Sequence, residues 1–418
     1  MGEKHYRPRL SDIQRAKQRI GEVVLQTPMS KNFPLCEKFG ADIWLKREDM
    51  QQVRSYKIRG AYNKISSMTE EELKRGVVCA SAGNHAQGVA FAANALKTHA
   101  VVFMPKPTPQ QKINQVRMFG SECVEIVLTG DTYDDAYKEA KEYCESKEAA
   151  FIHPFDDPLI IEGQGTLGLD ILNDAKQHID FLLMPVGGGG LASGVSSVFR
   201  DISPDTKMIG VEAAGAPCMK QSIDAGHRIT LDEIDTFADG IAVRTPGEIT
   251  YEICREQLDG IVVVPEGKIC TTILELYNES AIVVEPAGAA SIAALYMMGD
   301  EIRGKSVVCV VSGSNNDITR MEEIKERSML YEGLKHYFIV RFPQRAGALR
   351  EFLEKVLGPD DDITLFQYTK KNAIEKGPAI VGLEIRSPED FEPLIGRMKK
   401  HRIPYEYMND KPDLLRLI

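Results

Sequence analysis

The sequence predicts a two-part molecule: a long α/β region of two parallel-rich domains, then a small α+β domain of ferredoxin-like order. Three observations carry this. Over the first two-thirds, short apolar runs alternate with amphipathic stretches at the spacing of βαβ units. Around residues 321–330 the charged helical segment MEEIKERSML breaks that rhythm. Beyond it, under a hundred residues read as strand, helix, strand, strand, helix, strand.

Taken in order, strands are expected at 41–45, 77–80, 100–104, 123–128, 181–185, 208–212, 261–264 and 307–312. Helices are expected at 86–96, 134–146 and 269–280. Ser11 followed by Gln14 offers a capping box for the first helix. The tail predicts strand 336–342, helix 347–357, strands 363–367 and 379–384, helix 388–400 and strand 405–407. These set expected domains of 1–328 and 335–410. A smaller subdomain at roughly 55–155 is expected to be inserted in the first.

A chain of 418 residues, 43% hydrophobic and 27% charged, can bury a sizeable core. A net charge of −10 without a basic block argues against nucleic acid as a partner. The N-terminal stretch is too polar for a signal peptide, and no apolar run reaches membrane-spanning length, so a cytoplasmic location is expected. Eight cysteines include no CxxC pair; several sit in apolar strands and read as small buried hydrophobes.

Four segments could carry chemistry. In LKREDMQQVRSYKIRGAYNKI, most lysines would be solvated charges, but Lys57 has apolar neighbours and Gly60 permits close packing. A partly buried lysine has a lowered pKa, which frees its amine to bond a carbonyl. In CASAGNHAQG, a small polar turn enters a helix, which suits a carboxylate or phosphate, or is an ordinary capped turn. In LLMPVGGGGLASG, four successive glycines are entropically costly and make most sense where backbone approaches an anion. The same segment, with Gly187, Gly189 and Ala192 followed by Glu212, also satisfies a dinucleotide fingerprint. In VVCVVSGSNND, a buried strand ends in Ser312, where α/β folds place ligands, or in a plain turn.

In this order the four segments resemble the fold-type II pyridoxal-phosphate family, and within it the threonine dehydratases (threonine ammonia-lyases) of the biosynthetic short form. The resemblance runs from Asp12 through the tail. It implies that the Schiff-base lysine falls on Lys57 and that Asn84 bonds the 3-oxygen of pyridoxal 5'-phosphate. It further implies that Ser81, Ala82, Gly83, Asn84 and His85 cradle the substrate carboxylate. The phosphate cup falls on Gly187, Gly188, Gly189, Gly190 and Leu191, and the pyridine-nitrogen partner on Ser312. A neutral hydroxyl there makes a weaker electron sink than a carboxylate partner would and favours β-elimination.

The tail, FPQRAGALREFLEKVLG then ITLFQY, is similar to that short form's ACT-like effector domain. The resemblance implies L-threonine as substrate, 2-oxobutanoate and ammonia as products, isoleucine as inhibitor with valine opposing, and a homo-oligomer, a tetramer or a dimer. Tyr56 stands where the family commonly has phenylalanine. No aspartate follows Glu212 closely, so no metal site is expected. Serine dehydratase, serine racemase and β-replacement synthases share the fold and most motifs. A dinucleotide-dependent oxidoreductase would use Gly187–Ala192 and be indifferent to Lys57, and a silent amino-acid-binding regulator would use only the tail.

Overall fold

The structure, a computed structural model, describes residues 6–343, 345–368 and 376–415. Residues 1–5 of the polar N-terminal stretch, Gln344, and residues 369–375 of the expected second domain lie outside the described residues. The chain forms two compact units, Met1–Ile318 and Thr319–Ile418.

Among the described residues, the first unit contains ten strands: β1 (Met29–Lys31), β2 (Asp42–Arg47), β3 (Val77–Ala80), β4 (Ala100–Met104), β5 (Val124–Leu128), β6 (Ala150–Phe151), β7 (Phe181–Pro185), β8 (Lys207–Ala213), β9 (Gly260–Val264) and β10 (Ser306–Val311). They divide into a six-stranded sheet of order β1-β2-β10-β7-β8-β9 and a four-stranded sheet of order β5-β4-β3-β6. All neighbours are parallel except β1 and β2. Strands such as FLLMP and SVVCVV are buried at every position, because helices cover both faces. Cys79 and Cys309 are buried among them as small hydrophobes.

The residues of β10 pair with both β2 and β7, so the C-terminal ends of these three strands lie side by side. The segments that follow them bring in Lys57 at the start of a helix, the four glycines and Ser312. The smaller sheet adds the loop after β3, which leads into the helix Asn84–Leu96. Ligands of open α/β sheets sit at such strand ends.

Two strands escaped the sequence, β1 and β6. They are three and two residues long, too short to show a period. The first helix is also entered differently from expectation. It spans Leu10–Ile20, and the Asp12 carboxylate accepts the Arg9 N–H at 3.2 Å, so Ser11 lies inside the helix rather than at its cap.

The second unit opens with the helix Met321–Tyr331 and continues as β11 (Lys335–Pro343), the helix Ala348–Lys355, β12 (Asp362–Tyr368), β13 (Lys376–Glu384), the helix Phe391–Lys400 and β14 (Tyr405–Tyr407). Sheet order β12-β13-β11-β14 with antiparallel neighbours is the ferredoxin-like arrangement. Its core joins Phe338, Val340 and Val381 of the sheet to Phe352, Leu394 and Met398 of the helices. Among the described residues, no helix is long and apolar enough to cross a membrane.

Candidate active site

The helix Lys57–Ser66 begins at the lysine itself. Its position is fixed by charge pairing in a dry interior. Arg59 Nε and Nη2 donate to Glu48 Oε2 and Oε1 at 2.7 and 2.8 Å, and Arg59 Nη1 meets Asp170 Oδ2 at 2.8 Å. Arg59 and Glu48 are wholly buried, and such two-point contacts fix orientation as well as distance. The helix also lies backbone-to-backbone on Pro158–Asp174: a Cβ on Gly60 would stand 2.9 Å from the Ile160 carbonyl oxygen. The close packing expected at Gly60 is present.

The preceding loop is stitched to the loop after β10. Tyr56 N–H donates to the Ser312 carbonyl at 3.1 Å, Ser314 N–H to the Arg54 carbonyl at 2.9 Å, and Ser55 bridges Gly313. The start of the helix at Lys57 and the loop at Ser312, 255 positions apart in sequence, are thereby held side by side. Lys57 is half-buried, and Nζ donates to the Pro154 carbonyl at 2.8 Å. Burial lowers its pKa to about 8, with the Glu285 carboxyl opposing the shift.

The glycine run lies where β7 hands over to the helix Gly190–Ile202. A Cβ on Gly188 would run into the Phe155 ring, and one on Gly187 would stand 2.9 Å from Ile241 backbone. Gly189 has φ +93°, a left-handed conformation that suits glycine. The bare backbone is therefore demanded by protein packed against the loop, a reason sequence reasoning did not supply. The segment from His153 to Asp156 does this packing. His153 Nδ1 accepts the N–H groups of Phe155 and Asp156, and the Asp156 carboxylate accepts three N–H groups at the start of the helix Glu248–Gln257.

What the loop leaves open is a set of donors. Among the described residues, none of the N–H groups of Gly187 through Ala192 makes a hydrogen bond, and all of these residues but Gly187 are buried. A buried N–H without an acceptor costs about 1–3 kcal/mol. An anion at this helix N-terminus would remove that cost.

The loop after β3 is similar but wetter. Ser81 through Asn84 are partly exposed, and Gly83 N–H donates to Ser81 Oγ at 3.2 Å. The N–H groups of Ala82, Asn84, His85 and Ala86 meet no acceptor among the described residues. The His85 ring is buried, with Nε2 2.8 Å from the Ile152 carbonyl oxygen. Burial first, and then the Lys57 charge, lower its pKa to about 3, so the ring is neutral and structural.

A model of the pyridoxal-phosphate dependent enzymes matches residues 20–313, seven-tenths of the chain. A curated "L-threonine dehydratase biosynthetic IlvA" of Halalkalibacterium halodurans is 56% identical over 98% of this chain and 99% of its own. The chain belongs to the biosynthetic threonine dehydratases of the pyridoxal-phosphate-dependent family. A protein of the same name in Bacillus subtilis is 56% identical over 97% of this chain and 96% of its own. Residues 326–418 match the C-terminal regulatory domain of threonine dehydratase. Among solved structures, the processed form of threonine deaminase isoform 2 from Solanum lycopersicum superposes with a TM-score of 0.72 at 40% identity, covering 78% of this chain and 96% of that one. Maize serine racemase superposes with a TM-score of 0.72 at 30% identity, covering 78% and 99%.

Pyridoxal 5'-phosphate is the cofactor of this family, and the residues present fit it. The open N–H groups at 187–192 suit its phosphate, and the lysine of lowered pKa suits its aldehyde. The dinucleotide alternative loses its acid: Glu212 is buried and its two oxygens accept the N–H groups of Met219 and Lys220, each at 2.8 Å. It caps the helix Cys218–Ala225 from a fully buried position, which accounts for the carboxylate without a ribose.

Two groups here were missed in the sequence, Glu285 and Asn315. Asn84 Nδ2 donates to Glu285 Oε1 at 2.6 Å, and Asn315 Nδ2 donates to Asn84 Oδ1 at 2.7 Å. Burial and the Asp239 charge push the Glu285 carboxyl up to about 8, against the pull of Asn84, Lys112 and the Asn315 N–H. A signal existed. Glu285 stands at the entry to PAGAASIAALYMM, whose apolar residues surround the helix, so the entry residue is buried with it.

Proposed function

We propose that this protein converts L-threonine to 2-oxobutanoate and ammonia, the first step of isoleucine biosynthesis, under feedback control by its C-terminal unit. The observation that carries the reading is one meeting point: the segments with Lys57, the open glycine loop and Ser312 follow the C-terminal ends of three adjacent parallel strands, and the Lys57 and Ser312 segments are hydrogen-bonded to each other. Near-full-length likeness to biosynthetic threonine dehydratases supports the choice of substrate.

In this reading the N–H groups at Gly187, Gly188, Gly189, Gly190 and Leu191 hold the cofactor phosphate, Lys57 holds its aldehyde carbon, Asn84 meets its 3-oxygen and Ser312 its ring nitrogen. When bound, the cofactor supplies the electron sink that makes the substrate's α-proton removable. The loop Ser81, Ala82, Gly83, Asn84 and His85 takes the substrate carboxylate on its backbone N–H groups, which fixes the α-carbon beside Lys57. Lys57 Nζ, released when the substrate's own amine takes its place at the aldehyde carbon and kept partly neutral by burial, would take the α-proton. Ser312 contributes a neutral hydroxyl rather than a charge at the ring nitrogen, which favours loss of the β-hydroxyl over transamination. The released enamine hydrolyses in water, giving 2-oxobutanoate and ammonia.

The ferredoxin-like unit is the effector domain, with isoleucine as inhibitor and valine opposing it. The working form is a cytoplasmic homo-oligomer, a tetramer by resemblance. Purified holoprotein given L-threonine should release 2-oxobutanoate and ammonia in equal amounts, less so with isoleucine present. Turnover of L-serine alone would move the assignment to serine dehydration or racemisation.

A further inference from the structure

Asn84 is held from both ends. Its Oδ1 receives Asn315 Nδ2 at 2.7 Å, and its Nδ2 gives one hydrogen to Glu285 Oε1 at 2.6 Å. Asn315 is itself oriented by a backbone group, because its Nδ2 also donates to the Val53 carbonyl at 2.9 Å. A carbonyl only accepts, so the nitrogen of Asn315 must face that way. The arrangement stands although it leaves Asn315 Oδ1 buried without a partner. Two acceptors met by one amino group outweigh one orphaned oxygen.

The constraint passes from backbone to side chain. Val53 orients Asn315, Asn315 presents a donor, and the oxygen of Asn84 must turn towards it. The amino group of Asn84 then needs an acceptor on its other side, which Glu285 provides. Glu285 is 4% exposed and can hardly swing away, since a Cβ on Gly313 would already strike its carboxyl. Its own N–H donates to the Gly313 carbonyl at 3.2 Å, tying this cap to the loop that carries Ser312.

We propose that Glu285 and Asn315 form a clamp that pins the Asn84 amide one way round, leaving one N–H of Asn84 for the 3-oxygen of the cofactor ring. The clamp rests on the reading of Asn84 as the residue that meets that oxygen. Glu285 and Asn315 are positioning residues, for they act through Asn84. A flipped Asn84 would offer the ring oxygen an acceptor, turning attraction into repulsion.

The test compares pyridoxal 5'-phosphate affinity and the visible absorbance band of intact holoprotein across Glu285→Leu, Asn315→Asp, Glu285→Gln and Asn84→Ala. Glu285→Leu and Asn315→Asp should each weaken cofactor binding about tenfold, the scale of one hydrogen bond, and move the band as Asn84→Ala does. Neither should have a further effect when added to Asn84→Ala. Glu285→Gln keeps an acceptor of the same shape and should restore both readouts to within about twofold of wild type. Wild-type affinity and spectrum in Asn315→Asp, or a full effect persisting in the Asn84→Ala background, overturns the clamp. Should Glu285→Leu fail to fold, Asn315→Asp decides alone. An Asn84→Ala protein with unchanged affinity and spectrum overturns the assignment of Asn84 itself, and the clamp falls with it.

Discussion

Lys57 Nζ lies 2.8 Å from the carbonyl oxygen of Pro154, the residue before the ring that covers Gly188. One short segment thus holds the amine with its backbone oxygen and shapes the glycine loop with its next side chain. The lysine and the anion site are positioned by the same residues. Their separation follows from the fold and not from flexible side chains.

The lowered pKa of Lys57 sets how the apoprotein takes up its cofactor. A protonated amine cannot attack an aldehyde, so recombination should speed up about tenfold per pH unit below the lysine's pKa and level off above it. Lys57 should level off near pH 8, whereas an ordinary lysine would keep climbing to about 10.4. Stopped-flow absorbance across that range reads this directly. A rate still rising steeply beyond about pH 9 would count against the burial argument.

The Glu48–Arg59 pair should matter more for stability than for chemistry. Removing one partner of a buried pair leaves a charge without compensation and costs about 3–5 kcal/mol. Glu48→Ala should lose roughly that amount in urea unfolding. A loss below about 1 kcal/mol would mean that Asp170 alone can satisfy Arg59.

Gly189 and Gly226 both have positive φ, but only Gly189 is crowded. Gly189→Ala combines left-handed strain of about 1–2 kcal/mol with a Cβ 2.8 Å from the Thr250 Cβ. It should weaken cofactor binding by more than about tenfold. Gly226→Ala, with nothing within 4 Å of its Cβ, should carry the strain and leave binding unchanged. Equal cofactor affinities in the two variants would contradict the assigned loop.

Ending the chain at Ile318, where the first compact unit ends, should separate catalysis from the proposed sensing. The truncated protein should keep threonine turnover and lose its response to isoleucine. Effector coupling is typically about 1–3 kcal/mol, so the lost inhibition should be about 5–150-fold. Inhibition that survives truncation would place the effector site in the first unit.

Much of this was readable in the residues, and the omissions have physical causes. The continuous apolar runs of β3, β4 and β7 announce strands buried on both faces, and their bounds coincide with the expected ones. The ferredoxin-like tail was legible because its periods alternate cleanly between strand and helix. Glu285 and Asn315 were not, since their importance lies in meeting Asn84 across 201 and 231 positions. The packing cause of the glycine run was hidden likewise, because Phe155 approaches from a segment that reads as a loop. Pairings between distant loops leave no local period, so no window of sequence displays them.

Every role assigned to the site turns on Lys57 as the residue that carries the cofactor. Borohydride reduction of the holoprotein, followed by proteolysis and peptide mass spectrometry, reads this at the residue itself. Pyridoxyl mass on the peptide containing Lys57, absent from a Lys57→Ala protein, is the predicted result. The label on another lysine, or on none in protein whose absorbance shows bound cofactor, would contradict it.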